Sequence, residues 1–323
     1  MGKLPFEKRK PKVLVKREAE TNWDYGCKPE DRSVEELVRF GIVNVNKLAG
    51  PSSHEVSSFV KKILKVNKAG HSGTLDPGVT GVLPVATEKA TRIVQTLLKA
   101  GKEYICLMHL HKDVSEEEIR ETCGSFVGKI RQLPPVKSAV KRQEREREIY
   151  YLDILEIKGK DVLFKVGCEA GTYIRKLVHD VGEELDCGAH MAELIRTKAG
   201  PFNYHDWVSL YELKDAYEAK DEKEIRRIVG VVEKGVEHLK KIWILDGAVD
   251  TLCHGANLGV PGVSKLDDDI SRGDLVAVLT LKGELVCLGE AFMDSRSIMD
   301  KSRGLCVNVK KVFMDRKVYL KYS

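Results

Sequence analysis

Apolar residues recur along this chain in two rhythms, one suited to helices and one to strands. The first 34 residues are charged and polar, and Ser33 to Glu36 then opens a short helical stretch ahead of the run FGIVNVNK. Residues 54–66 predict a helix, because Val56, Phe59, Val60, Ile63 and Leu64 fall at the i, i+3, i+4 spacing of one apolar face behind a Gly-Pro-Ser-Ser lead. Alternating segments at 103–111 and 161–170 predict strands, while 115–126 and 173–185 read as helices. That mixture predicts an α+β fold. Residues 210–241 are highly charged and read as two connecting helices. From Ile242 onward short apolar strands, DLVAVLTL, ELVCLGEAF and LCVNVKKVFM, alternate with Gly/Asp/Ser punctuation, as in a small β-barrel. The division expected is an arm over 1–34, a large domain over 35–241 and a small domain over 242–323.

Composition narrows the class without naming a chemistry. A chain of 323 residues has room for one large and one small domain, and 42% hydrophobic with 32% charged residues describes a globular protein. The net charge of +5 is compatible with a polyanionic partner without requiring one. Eight cysteines include no CxxC pair and no Cys/His cluster at zinc-finger spacing, so they read as reduced, buried thiols. No run approaches the roughly 18 apolar residues of a membrane span. A cytoplasmic protein with no membrane association is expected, and no Walker motif or dinucleotide fingerprint suggests a nucleotide.

The chemistry concentrates in Gly70-His71-Ser72-Gly73-Thr74-Leu75-Asp76-Pro77-Gly78-Val79-Thr80-Gly81-Val82-Leu83-Pro84. Four glycines and two prolines around one acid describe a loop held in unusual backbone conformations close to something. Asp-Pro-Gly alone is simply a turn. The whole run, however, resembles the GHxGxLDPxxTGxLP signature of the TruB and dyskerin family of pseudouridine synthases. Lys47–Val56 is similar to that family's KPxGPTSHEV element, with Leu48 where proline is usual. Gly101–Tyr104 resembles its KxY strand, Glu169–Arg175 its CxxGTYIR element, and Met191–Thr197 its LxRT segment, with Ile195 where an arginine is common. Gly200-Pro201-Phe202 closes a likeness spanning about residues 38–210.

The resemblance implies a pseudouridine synthase fold, a mixed and mainly antiparallel sheet with flanking helices, joined to a small β-barrel of the PUA kind. It implies Asp76, Tyr104 and Arg175 as catalytic residues and His71, Thr74, Tyr173 and Leu194 as substrate-binding ones. Isomerising uridine breaks the N1–C1′ bond, rotates the base and joins C5 to C1′ without net redox change, so no cofactor and no metal are expected. An ionised carboxylate can act there as a nucleophile toward sugar or base, or as a base at the sugar. An arginine fork suits a carboxylate or a phosphate, and an aromatic face can stack the flipped base. Taken alone, Tyr104 would be core and Arg175 a surface helix residue.

Residues 131–150 resemble the family's mobile thumb loop, with a basic but mixed KRQERER end at 141–147. Asp246–Val249, His254–Leu258 and Val260–Val263 are similar to the PUA domain of the archaeal and eukaryotic dyskerin branch, on which an N-terminal arm packs. That branch implies H/ACA guide RNA and substrate RNA as partners, with small accessory ribonucleoprotein proteins that include a kink-turn-binding one. His254, Gly255, Ala256, Asn257, Pro261 and Gly262 are the implied guide RNA contacts. Ribosomal RNA is the implied substrate, with transfer RNA a further one, and the archaeal form fits a chain without long lysine-rich tails. A stand-alone tRNA synthase of the TruB type and a non-catalytic RNA-binding scaffold are the alternatives.

Overall fold

The computed structural model describes residues 2–133 and 143–319, and within them the chain forms two sheets. The larger has ten strands. Its main path runs Val229–Val231, Gly41–Lys47, Thr80–Thr87, Ala189–Ala199, Lys102–Leu110, Asp161–Cys168, Arg145–Lys158 and Gly128–Gln132. Ala69–His71 pairs beside Thr80–Thr87, and Phe202–Asn203 beside Ala189–Ala199. Neighbours run antiparallel except Thr80–Thr87 and Ala189–Ala199, which meet in parallel at Thr80↔Ile195 and Gly81↔Arg196. Strand alternation decides what faces inward: in Lys102–Leu110, Cys106, Met108 and Leu110 are buried, and half-buried Tyr104 shares their face.

Helices cover this sheet. Ser53–Ile63 buries Val56 and Val60 in one cluster with Val43, Val45 and Leu83, and Ile174–Glu184 buries Leu177, Val178 and Val181 with Cys106 and Phe164. Each such side chain contributes about 1.5–3 kcal/mol on burial. The first helix starts with a capping box, in which Ser52 and Glu55 satisfy each other's backbone amides. It stops at Ile63 rather than 66, because Lys65 turns left-handed (φ 53°) while the Val66 amide donates to Lys61 O at 3.2 Å. Phe59, which the spacing puts on the apolar face, is 40% exposed. The stripe is centred on Val56 and Val60, and Phe59 lies at its margin.

Residues 210–241 also differ from the expected pair of helices. Leu210–Ala219 and Glu222–Ile228 are helical, but Val229–Val231 becomes an edge strand pairing with Gly41–Lys47, and Lys240–Ile244 belongs to the second sheet. The cause is local: Ile228-Val229-Gly230-Val231-Val232 is a β-branched run of the kind that favours a strand.

The second sheet orders Val13–Val15, Val263–Asp267, Lys240–Ile244, Leu275–Thr280, Leu285–Ala291, Leu305–Val312 and Leu258–Gly259, with the helix Asp246–Cys253 beside it. The N-terminal segment ties both sheets together. Val13–Val15 pairs antiparallel with Val263–Asp267, and Arg9 forks onto Asp269 and Asp267 at 2.7–2.9 Å. Earlier in the chain, Leu4 is fully buried and Glu7 pairs with Lys198 of the larger sheet at 2.8 Å. A third joint is apolar, with Ile42, Val82 and Ile93 packed in one cluster with Leu279, Leu288 and Phe313. Beside it Arg32 forks onto Glu233 at 2.8 Å, and Glu233 also accepts the Leu285 amide at 2.9 Å. All eight cysteines are free thiols; seven are buried and Cys27 is half-buried. No helix among the described residues is long and apolar enough to cross a membrane. Of the thumb stretch 131–150, residues 134–142 lie outside the described residues.

His238 sits where these parts meet, edge-on to Phe6 with ring centroids 6.4 Å apart. Burial, aided by the Lys102 charge, lowers its pKa from 6.5 to about 4. The unfolded chain therefore takes up a proton that the folded one refuses. Its contribution is fully present above pH 6.5 and is lost as pH falls toward about 4. Urea unfolding of the natural protein and of His238→Gln between these limits checks this: the gap between the two should narrow or reverse as the medium is acidified.

Candidate active site

The acidic loop is the connection between two paired strands, Ala69–His71 and Thr80–Thr87. Asp76 to Val79 is a genuine turn, with the Val79 amide donating to Asp76 O at 3.0 Å. What distinguishes it is how its main chain is held. Lys47, at the end of its strand and 1% exposed, donates from Nζ to the carbonyls of Leu48 (3.1 Å), Asp76 (3.2 Å), Pro77 (3.0 Å) and Val79 (2.7 Å). Ser53, in the first turn of its helix, accepts the Leu75 amide at 2.8 Å and donates to the Leu75 carbonyl at 3.1 Å. The Gly50 amide adds a bond to Pro77 O at 3.0 Å. Residues 75 to 79 are thus fixed through backbone atoms, which leaves the Asp76 side chain outside.

A second buried cation closes the base of the loop. Arg196 is 1% exposed and donates from Nε to Val82 O at 2.7 Å and from Nη2 to Gly73 O at 3.2 Å. It stands where two strands cross in parallel, and the crossing dictates a glycine: at Gly81 (φ 108°) an added Cβ would lie 2.2 Å from the Arg196 carbonyl oxygen. Burial lowers the Arg196 pKa, opposed by Tyr104. Burial likewise lowers that of Lys47.

Over this base the Asp76 carboxylate meets Arg175, Nη2 to Oδ2 at 2.8 Å, with side chains 59% and 63% exposed. Arg175 belongs to the first turn of Ile174–Glu184, whose N-cap residue is half-buried Tyr173. Tyr104 lies directly opposite Arg196 in the sheet, and Leu194 opposite Cys106, so Leu194 is the diagonal neighbour of Tyr104 on one face. Burial raises the Tyr104 pKa while the Arg196 guanidinium opposes the rise, so the phenol keeps its proton at neutral pH. Its strand is braced by buried Glu103, which accepts from the Tyr151 hydroxyl at 2.5 Å and the Thr197 hydroxyl at 2.8 Å. His71 is half-buried, and burial together with the nearby Arg196 charge lowers its pKa, so the ring is neutral. Thr74 is exposed on the loop.

This arrangement can hold an ionised carboxylate beside an aromatic face and a guanidinium fork, open to a large substrate. A protein from Methanopyrus kandleri named "Probable tRNA pseudouridine synthase B" is 53% identical over 323 residues, covering 99% of this chain and 95% of that one. The chain belongs to the TruB family of pseudouridylate synthases. Family profiles match along it: the TruB N-terminal domain over residues 61–174, the tRNA pseudouridylate synthase B C-terminal domain over 175–237, the PUA domain over 240–313 and the DKCLD domain over 2–57. Among solved structures, a chain of a Cbf5-Nop10-Gar1 complex is 54% identical with a TM-score of 0.95, covering 99% of this chain and 98% of that one. A chain of an H/ACA RNP bound to a substrate RNA containing 2′-deoxyuridine is 51% identical with a TM-score of 0.93, covering 99% of each.

Within this TruB-family chain the PUA-region candidates lie beside the strands of the second sheet and not on the acidic loop. His254 to Asn257 are exposed at the end of the helix Asp246–Cys253, and Pro261 is exposed nearby. Asn257 already accepts the Val309 amide at 3.0 Å. Gly262 answers to packing, since an added Cβ would come within 3.0 Å of the Ala248 Cβ. Sequence reasoning had not singled out Lys47, Ser53 or Arg196, although each stands inside a quoted motif. The available signal was position: a lysine closing the strand-forming run Gly41–Lys47, and an arginine within the strand-forming run Ala189–Ala199.

Arg196→Lys keeps the charge but not the fork, and one ammonium cannot reach both Val82 O and Gly73 O in the same directions. Single-turnover isomerisation should slow by roughly 10²-fold, the scale expected of a displaced catalytic group. RNA affinity measured by filter binding should stay within about twofold, because no phosphate contact is removed.

Proposed function

We propose that this pseudouridine synthase is the catalytic subunit of an H/ACA guide-RNA ribonucleoprotein and converts uridine to pseudouridine in ribosomal RNA. The observation that carries the reading is the Arg175–Asp76 pair, 2.8 Å apart on a loop whose backbone is pinned from within and whose carboxylate faces outward. In this reading the target uridine leaves its stack and lies against Tyr104, with Leu194 on the same face. Asp76 supplies the anionic oxygen while Arg175 orients it. The N1–C1′ bond breaks, the base turns, C5 bonds to C1′, the C5 proton is lost and N1 takes up a proton, so the product is an isomer of uridine. Thr74, Tyr173 and His71 line the substrate side, and the neutral His71 ring can fill the gap left by the flipped base. A guide RNA supplies sequence choice by base pairing while the second domain, through His254–Asn257, Pro261 and Gly262, holds its ACA end. Small accessory proteins complete the particle, which acts in the cytoplasm. Support for this assembly comes from near full-length likeness to chains solved within H/ACA complexes. The stand-alone tRNA reading is favoured by the names of the curated relatives.

Asp76→Asn is nearly isosteric but lacks the anionic oxygen. Tritium release from RNA labelled at uridine C5 should fall by at least about 10³-fold, with RNA binding nearly unchanged. Turnover comparable to the natural protein would remove Asp76 from the chemistry. The guide-holding role has its own measurement. Replacing ACA at the guide end should weaken binding by on the order of 1–3 kcal/mol per misread base. Equal binding of ACA and scrambled ends would leave the tRNA reading as the better one.

A further inference from the structure

The helix that delivers Arg175 has no side-chain cap of its own. Its N-cap residue, Tyr173, is instead gripped from 41 positions earlier in the chain. Gln132, the last residue of the edge strand Gly128–Gln132 and 2% exposed, accepts the Tyr173 amide on Oε1 at 2.9 Å and donates from Nε2 to the Tyr173 carbonyl at 3.1 Å. A side-chain amide thus pairs with the main-chain N–H and C=O of one residue, as residues of antiparallel strands pair. The same Tyr173 carbonyl accepts the Leu177 amide at 3.0 Å, the first bond of the helix. Both of its lone pairs are then used, and the direction of the first turn follows from where Gln132 stands.

We propose that Gln132 is a positioning residue for the reaction, one that sets the Arg175 guanidinium against Asp76 by fixing the N-cap residue from which the helix begins. The inference rests on the reading that Asp76 and Arg175 are the reacting pair. Two features favour positioning over packing. Gln132 spends both amide ends on the main-chain N–H and C=O of one residue, a geometry no apolar residue of equal volume could supply. The residue so held is two positions from Arg175, whose side chain is 63% exposed and pairs with Asp76 at 2.8 Å, so the helix start governs its approach. A small rotation of the first turn therefore displaces the guanidinium without disturbing the buried face formed by Leu177, Val178 and Val181.

The test uses the full chain assembled with guide RNA and accessory proteins, read by single-turnover tritium release, substrate RNA affinity and thermal unfolding. Gln132→Glu keeps the volume and the acceptor but loses the donor and turns an anionic oxygen toward the Tyr173 carbonyl. It should lower the chemical rate about tenfold, with the dissociation constant of substrate RNA within about twofold. Gln132→Ala should show a loss of the same order. In an Arg175→Ala background neither change should cost anything more, because the group being positioned has gone. A purely structural role would instead multiply the two losses and lower the melting temperature in step with the rate. A natural rate in Gln132→Glu, or independent losses in the double variant, would overturn the inference. A natural rate in Arg175→Ala alone would overturn the reading of the reacting pair instead.

Discussion

The buried ammonium of Lys47, shared among four main-chain carbonyls, is the interaction on which the rest of the site depends. A glycine- and proline-rich loop that offers a carboxylate to solvent has few side chains with which to anchor itself, so it must be held by its backbone. Burying a cation is costly unless its donors are satisfied. Here the carbonyls of Leu48, Asp76, Pro77 and Val79 satisfy them, and the same bonds that make the charge tolerable fix the turn. Neither half is stable alone: without Lys47 the carbonyls face a dry interior, and without the turn the ammonium has no acceptors.

Arg196 extends this logic to the ends of the loop. Its two bonds reach Gly73 and Val82, one on each side of the turn, from the strand that crosses Thr80–Thr87 in parallel. Parallel contact is brief in a sheet otherwise antiparallel, and it brings the backbones so close that Gly81 admits no side chain. A third cation, Lys102, donates to the carbonyls of Leu97, Leu98 and Ala100, and burial draws its pKa down to about 7. Lys47 and Arg196, held by carbonyls, leave positive charge beneath the acidic loop, whereas Lys102 is only partly charged at neutral pH. The sheet is thereby both scaffold and source of field.

Much of this could be read from residue order alone, and the exceptions have a common physical cause. The helix beginning at Ser53, the strand carrying Tyr104 and the helix carrying Arg175 are local patterns, written in spacing and caps. The Asp76 loop is legible because so many of its positions are constrained at once. What periodicity cannot show is contact between distant segments. Lys47 meets Asp76 only because two strands pair; Gln132 meets Tyr173 only because an edge strand ends beside a helix start. The misplaced Phe59 and the unforeseen strand Val229–Val231 are milder cases, since there the local pattern was ambiguous and tertiary packing decided it.

The contrast between a rigid loop and an open ion pair has a functional consequence. Asp76 and Arg175 are each more than half exposed, so water screens their attraction. Two unit charges about 4 Å apart interact by about 1 kcal/mol in water and by about 4 kcal/mol at the effective dielectric of a protein surface. Excluding water from the pair lowers the dielectric around it and so strengthens the attraction. A site built this way spends its fixed bonds on the main chain and leaves the Asp76 carboxylate, proposed above as the reacting group, to gain its full electrostatic environment only when solvent is excluded.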